Sequence, residues 1–324
     1  MQQQNRGVLN VSADEVFIGN GVSELIDLSL RALLNPGDEV LVPSPDYPLW
    51  SAAVTLNGGT VRYYDCLPAN GFQPDIEQLE GLVSPKTRAI VLINPNNPTG
   101  AVYTRETLTA LAELAGKSGI LLLADEIYDQ MVYDQAEFVP MATVAGDVPC
   151  LTFSGLSKVY RACGYRVGWC SFSGELDRVR DYIHGMQLLA ALRLCSNVPG
   201  QWAVQTALGG FQSIRQLVEP GGRLYQSRQT VIDRVVESPW LSFLRPMGAM
   251  YAFIQLAAPV SARFDDQQFA LELLESKHVL VAPGSSFNTP YVDHFRITIL
   301  PDSETLHTVF DRVNELLEQH VATA

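Results

Sequence analysis

Seven short apolar runs alternate with stretches of helical periodicity over the first half of the chain. The runs occupy residues 15–19, 38–43, 60–65, 89–94, 120–125, 150–154 and 165–172. Several of them, such as ILLLA at 120–124, are continuously apolar, which is typical of strands buried on both faces. Alternation of this kind predicts an α/β fold, with a mostly parallel seven-stranded sheet and helices on both of its faces.

Two of the intervening stretches carry helix boundary signals. The first, SELIDLSLRALL at 23–34, has Ser23 as a candidate N-cap. The second covers 104–119, with Thr104 as its N-cap and Gly116 or Gly119 near its end. These boundaries predict helices that connect successive parallel strands.

The pattern changes in the second half of the chain. The pattern of residues 174–236 predicts mostly helix, with breaks at NVPG (197–200) and EPGG (219–222). A hairpin pattern follows at 243–256, and then a helix, two short strand-like runs and a terminal helix. The chain is therefore predicted to have a large domain at 1–209 and a smaller α+β domain at 210–324.

Composition excludes several classes of protein. Of the 324 residues 47% are hydrophobic and 18% are charged, which suits a large core and not a disordered chain. A net charge of −13 argues against nucleic acid as a partner. The chain has no apolar run of membrane-spanning length, and its start, MQQQNRG, lacks the pattern of a signal peptide.

Cysteine and histidine usage gives no sign of a metal. The five cysteines show no Cys-x-x-Cys spacing, and the five histidines show no spacing typical of metal ligands. We therefore expect no metal site, no disulfide framework and a reducing, cytoplasmic location.

Lysine is scarce, and this narrows the search for a reactive amine. The chain has four lysines, and Lys86, Lys117 and Lys277 lie in contexts typical of an exposed surface. Lys158 instead follows a predicted strand and the small-residue stretch SGLS. A desolvated lysine can form a Schiff base, and Arg166, eight residues later, could hold a phosphate.

Glycines and aromatic residues follow the first two predicted strands. GNGVSE at 19–24 could bind a single phosphate through the amides of Gly21 and Val22 at a helix start, or could be a tight turn without a ligand. It does not fit a dinucleotide motif, because Glu24 replaces the third glycine. Tyr47 in PDYPLW could stack on a flat ring or could simply pack around the turn.

Polar residues follow two further strands. NPNNPTG at 94–100 offers three asparagine side chains in a loop that prolines make rigid, so we expect at least one to reach a ligand. Asp125 ends a strongly apolar strand, where a carboxylate needs a cation or a donor. Tyr128 follows three residues later and can point the same way, although Asp125 could alternatively cap a helix.

These motifs occur in an order that resembles a known family. The glycine-bearing helix start, PDYP, NPNNPTG, DEIY, the SxxSK segment and the arginine at +8 are similar to those of the pyridoxal-phosphate-dependent class I/II aminotransferases of fold type I. The resemblance covers nearly the whole chain. Stretches such as IGNGVSELI, RLCSNVP and PGGRLY are most similar to those of bacterial glutamate–pyruvate (alanine) aminotransferases.

The resemblance implies a role for each residue around the cofactor ring. Lys158 would form the Schiff base with pyridoxal 5′-phosphate and move the substrate α-proton. Asp125 would pair with the pyridine nitrogen, and this would let the ring accept negative charge. Tyr128 and Asn97 would contact the ring 3′-oxygen, and Tyr47 would stack on the ring.

The resemblance also implies the two anion sites. The phosphate would bind the amides of Gly21 and Val22, the Arg166 side chain, and a hydroxyl from Ser157 or Ser154. Family members often carry a serine where this chain has Gly155, so both serines remain candidates. Arg296, in HFRITIL, would hold the substrate carboxylate, with Asn97 beside it.

The implied reaction moves an amino group from an L-amino acid, alanine in the most similar members, to a 2-oxo acid such as 2-oxoglutarate, by way of pyridoxamine phosphate. The implied assembly is a homodimer. Compared with the family, the chain is expected to be shortened at its N-terminus, with a complete cofactor cup and an incomplete substrate pocket and dimer interface. The alternatives are a β-lyase or another fold type I enzyme, and an inactive shortened homologue.

Overall fold

A computed structural model describes residues 6–8, 11–257 and 264–322 of the chain. The first five residues of MQQQNRG, on which the expectations about the chain start depend, lie outside this range. Within it, the secondary structure contains two sheets, one of seven strands and one of four.

The seven-stranded sheet contains the seven apolar runs identified in the sequence. Its strands are β1 (Val16–Gly19), β2 (Glu39–Ser44), β3 (Thr60–Asp65), β4 (Thr87–Ile93), β5 (Leu121–Asp125), β6 (Cys150–Gly155) and β7 (Gly168–Ser173). They lie in the order β1-β7-β6-β5-β4-β2-β3. Strand β7 pairs antiparallel with both of its neighbours, and the other pairings are parallel, so the predicted mostly parallel sheet is confirmed.

Alternate residues of the central strands enter two separate cores. Along β5, Leu121 and Leu123 pack into a cluster with Ile26, whereas Leu122 and Ala124 pack into a cluster with Leu108. Helices on opposite faces of the sheet supply the two clusters. Because neither face of β5 meets water, its sequence is continuously apolar rather than alternating.

The described α-helices have the following bounds. They are α1 (Val22–Leu33), α2 (Leu49–Leu56), α3 (Ile76–Leu82), α4 (Arg105–Ser118), α5 (Met141–Val144), α6 (Arg180–Arg193), α7 (Val198–Gly209), α8 (Ile214–Val218), α9 (Arg223–Glu237), α10 (Asp266–Lys277) and α11 (Ser303–Ala322). Within the described part of the chain, no helix combines the length and the apolar character that crossing a membrane requires.

Two predicted helix starts have different outcomes. For α4 the Thr104 side chain accepts from the Thr107 amide and Gly119 ends the helix in the left-handed region, as predicted. For α1 the N-cap is Gly21 and not Ser23, so that prediction was wrong. Gly21 has φ 87° and ψ 167°, a conformation open to glycine, and the chain therefore turns into the helix two residues before the expected cap.

The four-stranded sheet is formed by the C-terminal part of the chain. It is antiparallel, in the order β10-β11-β9-β8, with β8 (Leu241–Phe243), β9 (Tyr251–Leu256), β10 (Ala282–Pro283) and β11 (His294–Thr298). The pairing of β8 with β9 confirms the predicted hairpin. Helices α8 to α11 accompany this sheet, as the predicted α+β composition requires.

Buried contacts join the two sheets. The segment that follows β5 shares one core cluster with β9 and β11, through Tyr128, Met131 and Ile297 among others. Arg228 of α9 is fully buried, and its side chain donates to Asp134 and to the Pro246 carbonyl at 2.8 and 2.6 Å. These contacts place the carboxyl end of β5 against the four-stranded sheet.

A second buried carboxyl group follows Asp125 along the chain. Glu126 is 0% exposed, and its Oε1 accepts a 2.7 Å hydrogen bond from the Met141 amide, while its Oε2 has no partner. Burial raises the pKa of Glu126 from 4.5 to about 8. The side chain is therefore mostly protonated at neutral pH, when it acts as a neutral packing and hydrogen-bonding group.

Glu126→Gln tests this protonation state. The folded chain keeps the Glu126 proton up to about pH 8, whereas the unfolded chain releases it near 4.5. The native protein therefore loses stability as pH rises through that window, at up to about 1.4 kcal/mol per pH unit, and the variant lacks this loss. In urea unfolding, the unfolding free energy of the variant should rise relative to that of the native chain as the pH increases from about 5 to about 8.

The matched control is Glu113→Gln, on the exposed face of α4. This variant removes an exposed carboxylate and should unfold at pH 7 with nearly the free energy of the native chain, within about 0.5 kcal/mol. A Glu126→Gln difference that does not change with pH would show that Glu126 is ionised in the folded protein.

Candidate active site

A cavity of about 310 Å³ lies where the carboxyl ends of β4, β5 and β6 meet the four-stranded sheet. Its lining includes every residue to which the family resemblance assigns a role, except Gly21 and Ser154. Those residues are Val22, Tyr47, Asn97, Asp125, Tyr128, Ser157, Lys158, Arg166 and Arg296. Residues from distant parts of the sequence thus meet in one pocket, at the strand edge where ligands of open α/β sheets bind.

Asp125 lies at the floor of this cavity and is 3% exposed. Its Oδ2 accepts a 3.1 Å hydrogen bond from Trp50 Nε1, and Oδ1 accepts from the Ile127 amide at 3.3 Å. Burial raises the pKa of Asp125 to about 6, opposed by these donors and by the charge of Lys158. The carboxylate is mostly ionised at neutral pH and can bind a cationic group of a ligand.

Lys158 and Tyr128 lie close to each other. The half-buried Lys158 places Nζ 5.7 Å from the centre of the Tyr128 ring, within the range of a cation–π contact. Burial raises the pKa of Tyr128 well above its usual value, so this phenol is neutral. A primary amine, a carboxylate and a neutral phenol therefore converge on the same side of the cavity.

Another part of the cavity lining suits an anion. Arg166 donates to the carbonyls of Asn20 and Cys163, at 3.3 and 3.1 Å. A Cβ atom added to Gly21 would lie 2.4 Å from Arg166 Nη2, so only glycine lets the guanidinium reach the start of α1. The positive charge of Arg166 therefore lies beside the N-terminus of α1, where the first amides of a helix are available to an anion.

Two details of this anion site were not available from the motifs. The Gly21 amide donates to the Gly19 carbonyl at 2.9 Å, so Gly21 supplies space and conformation while Val22 begins the helix. Ser157 lines the cavity, whereas Ser154 is 2% exposed within β6. At Gly155 a Cβ would approach the Val167 carbonyl to 2.9 Å, which disfavours a serine at this position.

The three asparagines of NPNNPTG have different surroundings. Asn94 Oδ1 accepts from the Tyr103 amide and Asn96 Oδ1 accepts from the Thr99 hydroxyl, so both order the loop. Asn97 lines the cavity, and its Oδ1 accepts a 3.0 Å hydrogen bond from Arg296 Nη1. Of the three, Asn97 is therefore the asparagine that remains the candidate for contact with a ligand.

Arg296 lies between two aromatic rings of the four-stranded-sheet region. Its Cζ is 4.4 Å from the ring centre of Tyr251 and 4.7 Å from that of Phe287. Its Nε is buried and has no hydrogen-bond partner. A guanidinium held on both faces, with an unused donor, can bind a carboxylate.

Two residues with direct contacts were given no role by the sequence. Trp50, the tryptophan of PDYPLW, donates to Asp125. Tyr251 lines the cavity, and its hydroxyl lies 2.8 Å from that of Tyr128. Neither contact could be predicted from a local sequence motif, because 75 residues separate Trp50 from Asp125 and 123 separate Tyr128 from Tyr251. Among the described residues, no three His, Cys, Asp or Glu side chains group as metal ligands.

Comparison with known proteins identifies the family. The family model for aminotransferase class I and II matches residues 2–313. The alanine aminotransferase of Mycobacterium tuberculosis is 50% identical over 311 residues, which are 96% of this chain and 72% of that protein. The glutamate-pyruvate aminotransferase AlaA of Escherichia coli is 47% identical over 298 residues, 92% of this chain and 74% of the relative.

Solved structures agree in fold as well as in sequence. A crystal structure of an Escherichia coli aminotransferase has a TM-score of 0.95 and 44% identity, with 98% of this chain and 79% of that one covered. An alanine aminotransferase from Pyrococcus furiosus has a TM-score of 0.93 and 34% identity at the same coverage. The chain therefore belongs to the class I and II aminotransferases, which are pyridoxal-phosphate-dependent enzymes of fold type I.

Proposed function

We propose that the chain transfers the amino group of L-alanine to 2-oxoglutarate, giving pyruvate and glutamate in a ping-pong cycle. The relatives named as alanine and glutamate-pyruvate aminotransferases support this pair. The observation that carries the proposal is the cavity itself, which brings the side chains of Lys158, Asp125 and Arg296 together in one lining.

The residues present suit pyridoxal phosphate. Arg166, the first amides of α1 and Ser157 would hold the phosphate, in the space that Gly21 leaves. Asp125 would pair with the ring nitrogen, and Tyr47 would cover the ring. Bound there, the cofactor supplies the electron sink that stabilises negative charge at the substrate α-carbon.

The protein side chains would perform the remaining work. Lys158 Nζ would hold the cofactor through its aldehyde carbon and, once released, carry the proton from the substrate α-carbon. Asp125, ionised at neutral pH, would keep the ring nitrogen protonated. Tyr128 and Asn97 would donate to the ring 3′-oxygen, for which the neutral Tyr128 phenol has a proton available.

Substrate orientation would depend on Arg296. Its guanidinium is restrained by two rings and by Asn97, so little conformational entropy remains to be lost when a carboxylate binds. Because Arg296 and Lys158 line the same cavity, a ligand that contacts both would be one whose carboxylate and reacting carbon are adjacent, as in an α-amino acid.

We further propose the division of the chain and its location. The domains would be 1–209, which contains the seven-stranded sheet, and 210–324, which contains the four-stranded sheet. A cytoplasmic location would suit the five free cysteines, three of which are buried.

A homodimer is the assembly we propose. Large apolar side chains of α6, α7 and the segments beside them are exposed, which is unusual for a monomer. They are Leu188, Leu192, Leu194, Val198, Trp202 and Phe211. Asn197, the N-cap of α7, donates through its backbone amide to the Asn20 side chain at 2.8 Å and through its side chain to the Tyr165 carbonyl, next to Arg166, at 2.6 Å. This surface therefore adjoins the proposed phosphate site.

Lys158→Ala tests the assignment of the reactive amine. Without Nζ the chain can neither hold the cofactor covalently nor move the α-proton, so glutamate formation from L-alanine and 2-oxoglutarate should fall by at least about 10³-fold. Lys117→Ala, at the exposed end of α4, is the matched control and should keep native turnover.

The same proteins separate the alternatives. L-Alanine should bleach the visible cofactor band of the native enzyme, and 2-oxoglutarate should restore it. Release of pyruvate from a β-substituted amino acid, without glutamate formation from alanine, would favour a β-lyase. A native protein that binds the cofactor but never responds to L-alanine would be an inactive homologue.

Trp202→Glu tests the dimer. Trp202 is 79% exposed in the isolated chain, and a carboxylate buried between two copies would be costly. Light scattering should therefore show the variant as a monomer where the native protein is a dimer. Val236→Glu, at an equally exposed apolar position at the end of α9, should leave the native mass unchanged. A dimeric Trp202→Glu variant would place the interface elsewhere.

A further inference from the structure

Tyr251 is a cavity residue to which the motifs assign no role. It begins β9 and is 6% exposed. In the pairing of β9 with β11, Tyr251 lies opposite Thr298 and Phe253 lies opposite Arg296. Tyr251 and Arg296 are therefore diagonal neighbours on adjacent strands, within reach of each other's side chains.

The ring of Tyr251 forms one wall of the Arg296 site. The Arg296 Cζ is 4.4 Å from the centre of this ring, and the Phe287 ring lies 4.7 Å from the same atom. Arg296 Nη1 donates to Asn97, while Nε is buried and unpartnered. The aromatic walls thus fix the plane of the guanidinium and leave donors for a carboxylate.

The hydroxyl of Tyr251 reaches a different group. Its oxygen is 2.8 Å from the Tyr128 hydroxyl oxygen, and the two rings meet edge to face at 5.7 Å. Each phenol has one proton to donate. When Tyr251 donates to Tyr128, the Tyr128 proton is free to point into the cavity, and the incoming bond makes Tyr128 a stronger donor.

We propose that Tyr251 is a positioning residue with two separable functions. Its ring holds Arg296 in the orientation that binds the substrate carboxylate. Its hydroxyl directs and polarises the Tyr128 hydroxyl toward the 3′-oxygen of the cofactor. The inference rests on the proposed roles of Arg296 and Tyr128, and it makes one side chain of the four-stranded sheet responsible for the orientation of both.

Two substitutions in the holoenzyme separate the functions. Tyr251→Phe removes the hydroxyl and keeps the ring, so the bound cofactor should titrate at a pH a few tenths of a unit higher, as followed by its visible absorbance. The weaker Tyr128 donor stabilises the ionised ring oxygen less. Tyr251→Leu also removes the ring, and it should raise the dissociation constant of propionate about tenfold, against about twofold or less for Tyr251→Phe.

Tyr133→Phe is the matched control. Its hydroxyl donates at 3.0 Å to the Ala249 carbonyl in the same core cluster, outside the cavity. This variant loses one buried hydroxyl hydrogen bond, as Tyr251→Phe does, and should change neither the cofactor titration nor propionate binding. The comparison separates a positioning effect from a general loss of packing.

Propionate has the carboxylate of the substrate and no amine, so it probes Arg296 without turnover. If Tyr251→Phe titrates like the native enzyme, the hydroxyl function is wrong. If Tyr251→Leu binds propionate as the native enzyme does, the ring function is wrong. If the native enzyme does not bind propionate, the Arg296 assignment fails first and the ring function fails with it. The isosteric Tyr251→Phe variant still decides the hydroxyl function if Tyr251→Leu does not fold.

Discussion

The arrangement of the site depends on one buried carboxylate, that of Asp125. It ends β5, the central strand of the larger sheet, where apolar residues fill the cores on both faces. An ionised carboxylate at such a place is stable only with donors and a nearby cation. Trp50 supplies a donor and Lys158 supplies the charge. Because β5 lies between β4 and β6, the segments that carry Asn97 and Lys158 leave the sheet on either side of Asp125, and their side chains line the same cavity.

The second condition for the site is the contact between the two sheets. Tyr251 and Arg296 of the smaller sheet line the cavity. Each forms a hydrogen bond with a residue that follows a strand of the larger sheet, Arg296 with Asn97 and Tyr251 with Tyr128. The core cluster beneath them is continuous from the segment after β5 into β9 and β11. A further contact joins the segments that follow β2 and β10, because Asn288 donates to the buried Asp46 at 2.9 Å. A displacement of one sheet relative to the other would therefore change the contacts of both Arg296 and Tyr128.

Much of the fold could be predicted from the sequence, because strands and some helix caps depend on residues that are close together in the chain. Continuous apolar runs identify strands that are buried on both faces, and all seven strands of the larger sheet follow from them. Thr104 was predicted correctly as an N-cap because its contact with the Thr107 amide is local. The Ser23 cap was wrong because the chain already turns into α1 at Gly21, whose φ of 87° suits glycine, and the missing Cβ leaves the space that Arg166, far away in sequence, occupies.

The sequence by itself determined the type of sheet, the set of polar residues at its carboxyl edge and, through the scarcity of lysine, one candidate for the reactive amine. These features are properties of short segments, so residue type and spacing are enough to define them. Only the tertiary structure decided which serine faces the cavity, that Asn97 and not Asn94 or Asn96 reaches Arg296, and that Trp50 and Tyr251 support Asp125 and Tyr128. Those contacts join residues far apart in the chain, and their existence depends on how the two sheets pack rather than on any local pattern.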